Sequence, residues 1–353
     1  MPGSVRWGDE RRATDDSCSL HHRCAAVTAE TRDALLTARL AGRAGKRHRI
    51  IAAATVANGE VSTTALGAGV ADDFEIGSIS KGLTGLLYVD ALARGEIDAG
   101  STLGDFLPLG AGPAAAVTLS ALSTHSSGLP RLAPGTVTAR RVLDMWRNGA
   151  NPYGEDLPEL IDQAARVKLG KPRPSYSNFG FELLGHAVAA AAGTGYRDLL
   201  AERLAQPLAL HSVYAPRSAD ELRAGALLGT SRLGRPQQPW TGEAIAPAGG
   251  IRASIDDMGR FLLALVDGSA PGIAALDPVA PLAGPAVRIG AAWLTLERRG
   301  RHVVWHNGGT GGFRSWIGVD RAAGAGVVVL SATARTVDRL GMSMLTELAE
   351  SPH

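Results

Sequence analysis

The sequence predicts an α+β fold: an antiparallel sheet from the N- and C-terminal segments, flanked by helices, with a helical insertion lobe between them. Three observations carry that prediction. Two apolar runs of strand length, residues 50–56 and 61–66, are joined by Asn58-Gly59, a pair that accepts the positive φ angles of a tight hairpin turn. Four more strand-like runs, residues 291–296, 302–305, 315–319 and 326–330, lie near the other end of the chain. Residues 105–245, between these groups, are rich in helix signals, proline and glycine. Helix, hairpin, helices, strands and helix in that order fit one sheet built from both ends of the chain.

Each element has its own signal. Residues 1–30 read as a polar, disordered tail, and residues 31–350 as one domain. Its α/β lobe is expected over residues 31–104 and 246–350, and its helical lobe over 105–245. Residues 31–40 read as a helix with Leu35, Leu36 and Leu40 on one side. The basic run Lys46-Arg47-His48-Arg49 leads into the hairpin. Residues 78–93 are apolar nearly all round, through Ile79, Leu83, Leu86, Leu87, Val89 and Leu92, as in a helix running through an interior. Gly82 and Gly85 each cost about 1 kcal/mol of helix propensity against alanine. Their return is the close approach of another backbone. Residues 179–192 stop at Gly193, and residues 196–204 stop before Pro207, as helix stop signals predict. Ser254 and Asp257 resemble a capping box that opens a helix through Leu265. Residues 321–324 read as the turn between the last two strands, and residues 336–350 as a closing amphipathic helix.

Composition excludes several classes. In 353 residues, 45% hydrophobic and 20% charged content reads as an ordinary soluble globular protein. The net charge of +2 implies no nucleic-acid or anionic-membrane partner. Lysine is confined to Lys46, Lys81, Lys168 and Lys171, so a lysine inside a motif is informative. Cys18 and Cys24 enclose His21 and His22, but zinc-motif spacing is absent, and no metal or cofactor is expected. No apolar run reaches the roughly 18 to 20 residues of a membrane-spanning helix. The first thirty residues carry charge throughout, with no apolar segment of a secretory signal, so as written the chain is expected to stay inside the cell.

The chemistry gathers at three short motifs. Ser78-Ile79-Ser80-Lys81 is the only S-x-x-K in the chain, and on a helix residues i and i+3 share a face. The Lys81 amine therefore lies within reach of the Ser78 hydroxyl, a poor nucleophile until a base takes its proton. Lysine serves as that base when burial or neighbouring charge lowers its pKa. Tyr176-Ser177-Asn178 is the only Y-x-N. A tyrosine can relay a proton to a leaving group, and an asparagine offers both a donor and an acceptor. Taken alone, the tripeptide fits a loop tyrosine followed by an N-capping asparagine better than it fits a catalytic pair. His306-Asn307-Gly308-Gly309 ends a strand, where glycines let a substrate lie against free backbone N–H groups. Taken alone, it equally fits a flexible loop with a surface histidine.

In this order and spacing the three motifs resemble those of the class C β-lactamase, DD-peptidase and related esterase superfamily, in which Y-x-N stands for S-D-N and H-x-G for K-T-G. The loop Leu122-Ser123-Thr124-His125-Ser126-Ser127-Gly128-Leu129-Pro130 is similar to that family's L-L-x-H-T-S-G-L-P, and Ala248-Gly249-Gly250-Ile251 fits the segment before the return to the sheet. The resemblance covers roughly residues 45–350 and implies a β-lactamase/transpeptidase-like fold. It implies acylation of Ser78, with Lys81 as base and Tyr176 as proton shuttle. Asn178 would hold Lys81 and the substrate, and His306 would line the pocket. Asn307, Gly308 and Gly309 would bind substrate, with the N–H groups of Ser78 and Gly309 as oxyanion hole.

Three substrates stay open: a small-molecule ester, a β-lactam, or a peptide with D-residues. Alternatives to hydrolysis are acyl transfer from the same intermediate, or a non-catalytic binding or sensing protein that keeps the fold. His306 and Asn307 replace the lysine and threonine that bind a substrate carboxylate. That shifts weight toward esters, or amides without an obligatory carboxylate, unless a cation such as Arg314 substitutes. Glu155, Asp156 and Glu159 read as a solvated acidic segment. His125 and His186 read as structural, and Trp305, Phe313 and Trp316 suit either a pocket wall or core packing. No G-x-S-x-G elbow, H-E-x-x-H or P-loop occurs.

Overall fold

The computed structural model describes residues 29–31, 33–135, 143–144, 147–284, 286–298 and 300–350. Cys18, Cys24 and the rest of the polar tail lie outside the described residues, except that Ala29 and Glu30 belong to the first strand. The strands are β1 (Ala29–Thr31), β2 (Ile51–Ala57), β3 (Glu60–Leu66), β4 (Asp73–Glu75), β5 (Arg252–Ser254), β6 (Ala280–Ala283), β7 (Val287–Ile289), β8 (Leu294–Arg298), β9 (Arg301–Gly309), β10 (Arg314–Asp320) and β11 (Ala325–Ser331). The helices are α1 (Ala34–Ala44), α2 (Ser80–Ala93), α3 (Leu103–Phe106), α4 (Leu119–Ser123), α5 (Leu157–Ala165), α6 (Asn178–Ala191), α7 (Tyr196–Leu200), α8 (Ile255–Asp267) and α9 (Asp338–Glu350).

Asn58 and Gly59 take φ angles of 53° and 76°, which close the β2–β3 hairpin with Ala57 opposite Glu60. Strand β2 then pairs antiparallel with β11, Ile51 facing Ser331 and Val56 facing Gly326. This pairing joins the two ends of the chain in one nine-stranded sheet of order β1-β3-β2-β11-β10-β9-β8-β7-β6. Alternation along β2 feeds two cores. Ile51 and Ala53 join Leu36 and Leu40 of α1 and Met344 and Leu345 of α9. Ala52, Ala54 and Val56 face the other way, into the larger core that holds α2, α6 and α8. Strands β4 and β5 form a separate pair, Asp73 opposite Ser254, and lead into the segment that carries Ser78.

Several boundaries differ from the sequence expectation. Helix α1 begins at Ala34 because Asp33 caps it, its carboxylate accepting from the N–H groups of Leu35 at 2.8 Å and Leu36 at 3.1 Å. At α8 only half of the expected capping box is made. Ser254 Oγ accepts from Asp257 N–H at 3.2 Å, but the Asp257 carboxylate turns to Ser212 and Arg260. Strands β4 to β7 are three or four residues each, too short for a periodic signal. Gly82 and Gly85 do serve close approach. A Cβ on Gly85 would stand 2.1 Å from the Ala291 carbonyl oxygen, and one on Gly82 would stand 2.7 Å from the Trp293 ring. Among the described residues no helix is long and apolar enough to cross a membrane.

Candidate active site

Ser78 lies on a 3-10 turn, Gly77–Ile79, immediately before α2. The spacing to Lys81 still holds both side chains together, with Lys81 Nζ 3.2 Å from Ser78 Oγ. The lysine is fully buried and gives a second hydrogen bond, of 2.5 Å, to the carbonyl oxygen of Ala248. Its ammonium end lies 4.9 Å from the centroid of the Tyr176 ring and 5.9 Å from that of Phe181. From 98 residues away the Tyr176 hydroxyl donates to Ser78 Oγ at 2.6 Å. The hydroxyl and amine of one motif and the phenol of another therefore meet.

Strand β9 reaches this turn because two glycines, Gly77 and Gly308, leave room. A Cβ on Gly77 (φ 53°) would stand 2.6 Å from the Gly309 nitrogen, and one on Gly308 would stand 2.1 Å from the Ile76 carbonyl oxygen. Ser315 Oγ fastens the same carbonyl at 2.7 Å. The backbone N–H of Ser78 lies against Gly308, on the side of the turn that meets the strand edge.

Tyr176 is held from both sides. Ser177 is the N-cap of α6, accepting from Gly180 N–H at 2.8 Å, and its own N–H donates to His125 Nδ1 at 3.2 Å. The buried His125 ring packs on Tyr176 and Phe181 at centroid distances of 4.6 and 4.7 Å. Burial holds its pKa well below the ordinary histidine value, so it is a neutral wedge and not a proton carrier. His186 is buried too, with Nε2 3.2 Å from the Glu243 carbonyl oxygen.

Two expected positions come out differently. Asn178 gives its amide N–H to the Tyr153 hydroxyl at 2.7 Å, not to Lys81, and it does not line the cleft that opens on Ser78. The contact with Lys81 that the resemblance implies is replaced here by a bond to Tyr153. His306 is 3% exposed and also behind the cleft wall, since alternation along β9 turns it inward. Its Nδ1 donates to the Asn307 carbonyl at 2.7 Å, and burial, then the Lys81 charge, lower its pKa to about 4. It stays neutral beneath the pocket.

The cleft itself, about 560 Å³, is lined by Ser78, Tyr176, Asn307, Gly308 and Gly309, together with Arg131, Trp240, Thr310, Arg314, Thr336 and Asp338. Arg131, exposed, places its guanidinium 5.1 Å from the Tyr176 ring centroid. Arg314 is tethered through Nη1 to the carbonyls of Thr310 and Phe313, both at 2.7 Å. Burial lowers its pKa below the usual guanidinium value and nearby Arg232 adds to that, while Asp338 acts the other way. Asp338 accepts from Asn307 Nδ2 at 2.5 Å and from the Thr336 hydroxyl. Of these cleft residues the motifs name five and Arg314 enters as a cation candidate. Arg131, Trp240, Thr310, Thr336 and Asp338 were missed as cleft residues. Arg131 directly follows the H-S-S-G-L-P loop, the one signal that pointed near it. Trp316 and Phe313 are core residues and Trp305 packs on the outer face of the sheet, so none of the three walls this cleft.

The acidic segment also needs correction. Asp156 and Glu159 form a capping box at α5, but Glu155 is 6% exposed, with Oε2 accepting from Gly154 N–H at 3.0 Å. It is not a solvated side chain.

A nine-stranded antiparallel sheet with helices on both faces, and a serine–lysine–tyrosine cluster at the end of one strand, defines a class of fold and site that matches known proteins. A family model described as Beta-lactamase matches residues 32–350, and the chain belongs to that family. It is 29% identical over 191 residues to the D-alanyl-D-alanine-carboxypeptidase/endopeptidase AmpH of Escherichia coli (strain K12), covering 53% of this chain and 47% of that protein. It is 30% identical over 212 residues to penicillin-binding protein 4 of Amycolatopsis lactamdurans, covering 56% and 52%. The chain thus spans about half the length of these curated relatives. The crystal structure of a beta-lactamase/D-alanine carboxypeptidase from Pseudomonas syringae superposes with a TM-score of 0.75 at 19% identity, over 90% of this chain and all of that one.

Proposed function

We propose that the chain is a serine hydrolase that works through an acyl-enzyme on Ser78. The observation that carries this reading is the double contact of Ser78 Oγ, 3.2 Å from the Lys81 amine and 2.6 Å from the Tyr176 hydroxyl, on the wall of an open cleft. Lys81 takes the serine proton as Oγ attacks the carbonyl carbon. The backbone N–H groups of Ser78 and Gly309 face the developing oxyanion. Tyr176 passes the proton to the leaving group and then takes one from the water that hydrolyses the ester.

The cleft favours a substrate with an anionic group, such as a β-lactam or a peptide end. Its charged lining is Arg131, Arg314 and Asp338, with Arg232 acting on Arg314, so cations outnumber the one carboxylate, whose oxygens accept from Asn307 and Thr336. A guanidinium fork can replace the missing lysine and threonine as carboxylate partner. The relatives named as a carboxypeptidase and a penicillin-binding protein accord with this.

The test treats the protein with a fluorophosphonate and, separately, a fluorescent penicillin, and maps the adduct by mass spectrometry. An adduct on Ser78 from both, with turnover of a chromogenic cephalosporin, is the expected result. Turnover of a neutral chromogenic ester alone overturns the anionic-substrate reading, and no adduct from either reagent overturns the acyl-enzyme. Lys81→Ala is expected to slow labelling by about 10²–10⁴ with the fold intact. Arg314→Gln is expected to raise KM for the cephalosporin by roughly ten- to a hundredfold, leaving that for a neutral ester in place.

A further inference from the structure

Helix α4 ends on a residue that its own geometry does not call for. His125 N–H bonds to the Leu122 carbonyl at 3.0 Å and Ser126 N–H to the Ala121 carbonyl at 2.8 Å, the paired bonds of a Schellman stop. His125 is the left-handed residue of that stop, with φ 56°. Glycine takes this position freely, whereas a residue with a side chain is strained there. The buried ring adds a second cost. Its Nδ1 accepts from Ser177 N–H, so the ring proton sits on Nε2, and that atom has no hydrogen-bond partner among the described residues.

Both costs are offset at the tyrosine of the site. The His125 carbonyl accepts from Ser175 N–H at 2.8 Å and Nδ1 from Ser177 N–H at 3.2 Å, so one residue brackets Tyr176 on both sides along the chain. Its ring also packs on the Tyr176 ring, with centroids 4.6 Å apart. Ser177 Oγ and Asn178 N–H bond to the carbonyls of Pro130 at 2.6 Å and Arg131 at 2.9 Å, contacts that do not involve the histidine ring. Lys81 is held on α2 and by the Ala248 carbonyl, so its hold on the Ser78 proton does not run through His125 either.

We propose that His125 is a positioning residue for Tyr176, its Nδ1 and ring face keeping the phenol against Ser78 while protons pass to the leaving group and from water. The inference rests on the acyl-enzyme reading. The Tyr176 hydroxyl stands 2.6 Å from Ser78 Oγ, and a proton relay works only over such a distance. A displacement of about 1 Å can cost a hundredfold in rate. The left-handed backbone aims the imidazole at the Tyr176 segment, which a glycine at this stop cannot do.

The experiment compares wild type, His125→Gly and His125→Asn in fluorophosphonate labelling of Ser78 and in turnover of a chromogenic cephalosporin and a chromogenic ester. Glycine and asparagine both accept the left-handed angle, but only asparagine places an acceptor, Oδ1, where histidine has Nδ1. Fluoride leaves without needing a proton, so labelling of His125→Gly is expected to stay within about threefold of wild type. Its kcat for the substrate that wild type hydrolyses is expected to fall about a hundredfold. His125→Asn is expected to regain about tenfold of that loss. A histidine that only caps α4 predicts the opposite, since glycine suits the stop best and would leave turnover in place. That result, or labelling and turnover reduced equally in both variants, overturns this inference alone. If His125→Gly does not fold, ¹⁵N spectra of the wild-type imidazoles decide: a proton on Nε2 with Nδ1 bare supports the clamp, and a proton on Nδ1 overturns it. Wild type that labels at Ser78 but turns over neither substrate overturns the Tyr176 relay and this inference, leaving the acyl-enzyme in place. Wild type that does not label at Ser78 overturns all three.

Discussion

At the scale of single residues, burial decides what each polar group at the site can do. Lys81 and His306 are both sealed from solvent, yet they differ because Lys81 reaches two acceptors, while His306 uses Nδ1 on its neighbour's carbonyl and rests its ring edge-on against Trp293. The histidine has a pKa depressed from 6.5 to about 4, so the unfolded chain binds its proton first as pH falls. Its contribution to stability is complete above pH 6.5 and is lost as pH drops toward 4. The melting temperature is therefore expected to fall across that window, and more steeply than in His306→Gln, whose side chain does not titrate. Equal slopes in a pH series of thermal melts would remove His306 as the source. Sequence alone located this residue, because its motif is legible, but not its direction. The alternation along β9 that turns it inward depends on register against β10, where His306 pairs with Ile317.

At the scale of elements, glycines govern how closely the pieces of the site approach. In an exposed helix Gly→Ala stabilises by about 1 kcal/mol. In α2 the sign reverses at Gly85, since the new methyl would stand 2.1 Å from a backbone oxygen that cannot rotate away. Gly85→Ala is expected to cost about 1–3 kcal/mol in chemical denaturation, and a stability gain would mean that the Ala291 segment yields. Gly308→Ala pushes β9 from the Ser78 turn by the same reasoning, so it is expected to reduce labelling of Ser78 beyond any loss of stability. Helix α2 was legible from its apolar run, and even the purpose of its glycines followed from their cost. Their partners did not follow, because Ala291 and Trp293 are over two hundred residues further along and belong to no motif.

At the scale of the whole molecule, a buried ion network ties the segments that frame the cleft. Arg252 on β5, with no exposed surface, binds Asp73 at 2.9 Å and Glu75 at 3.1 Å on β4, and the carbonyl of Leu227 at 2.7 Å. Tyr214 donates to the other Asp73 oxygen at 2.6 Å, and Glu75 accepts the backbone N–H of Trp240, a cleft residue, at 3.0 Å. Removing Arg252 leaves the two buried carboxylates without the cation that both of them bind. Arg252→Ala is expected to destabilise the fold by about 3–5 kcal/mol in urea titration. A loss below 1 kcal/mol would show that the charges are not desolvated as the geometry requires. Burial already raises the pKa of Glu75 against the pull of Arg252, which marks how tightly this layer is closed to water.

Residues close in sequence determine turns, helix faces and local reach, so the sequence by itself fixed the Asn58-Gly59 hairpin, the apolar α2 and the approach of Lys81 to Ser78. Which distant groups share one low-dielectric space is set by packing, and no spacing rule encodes it. Only the tertiary structure therefore decided that Asn178 serves Tyr153, that Arg131 and Arg314 charge the cleft, and that Glu155 and Glu182 are kept from solvent.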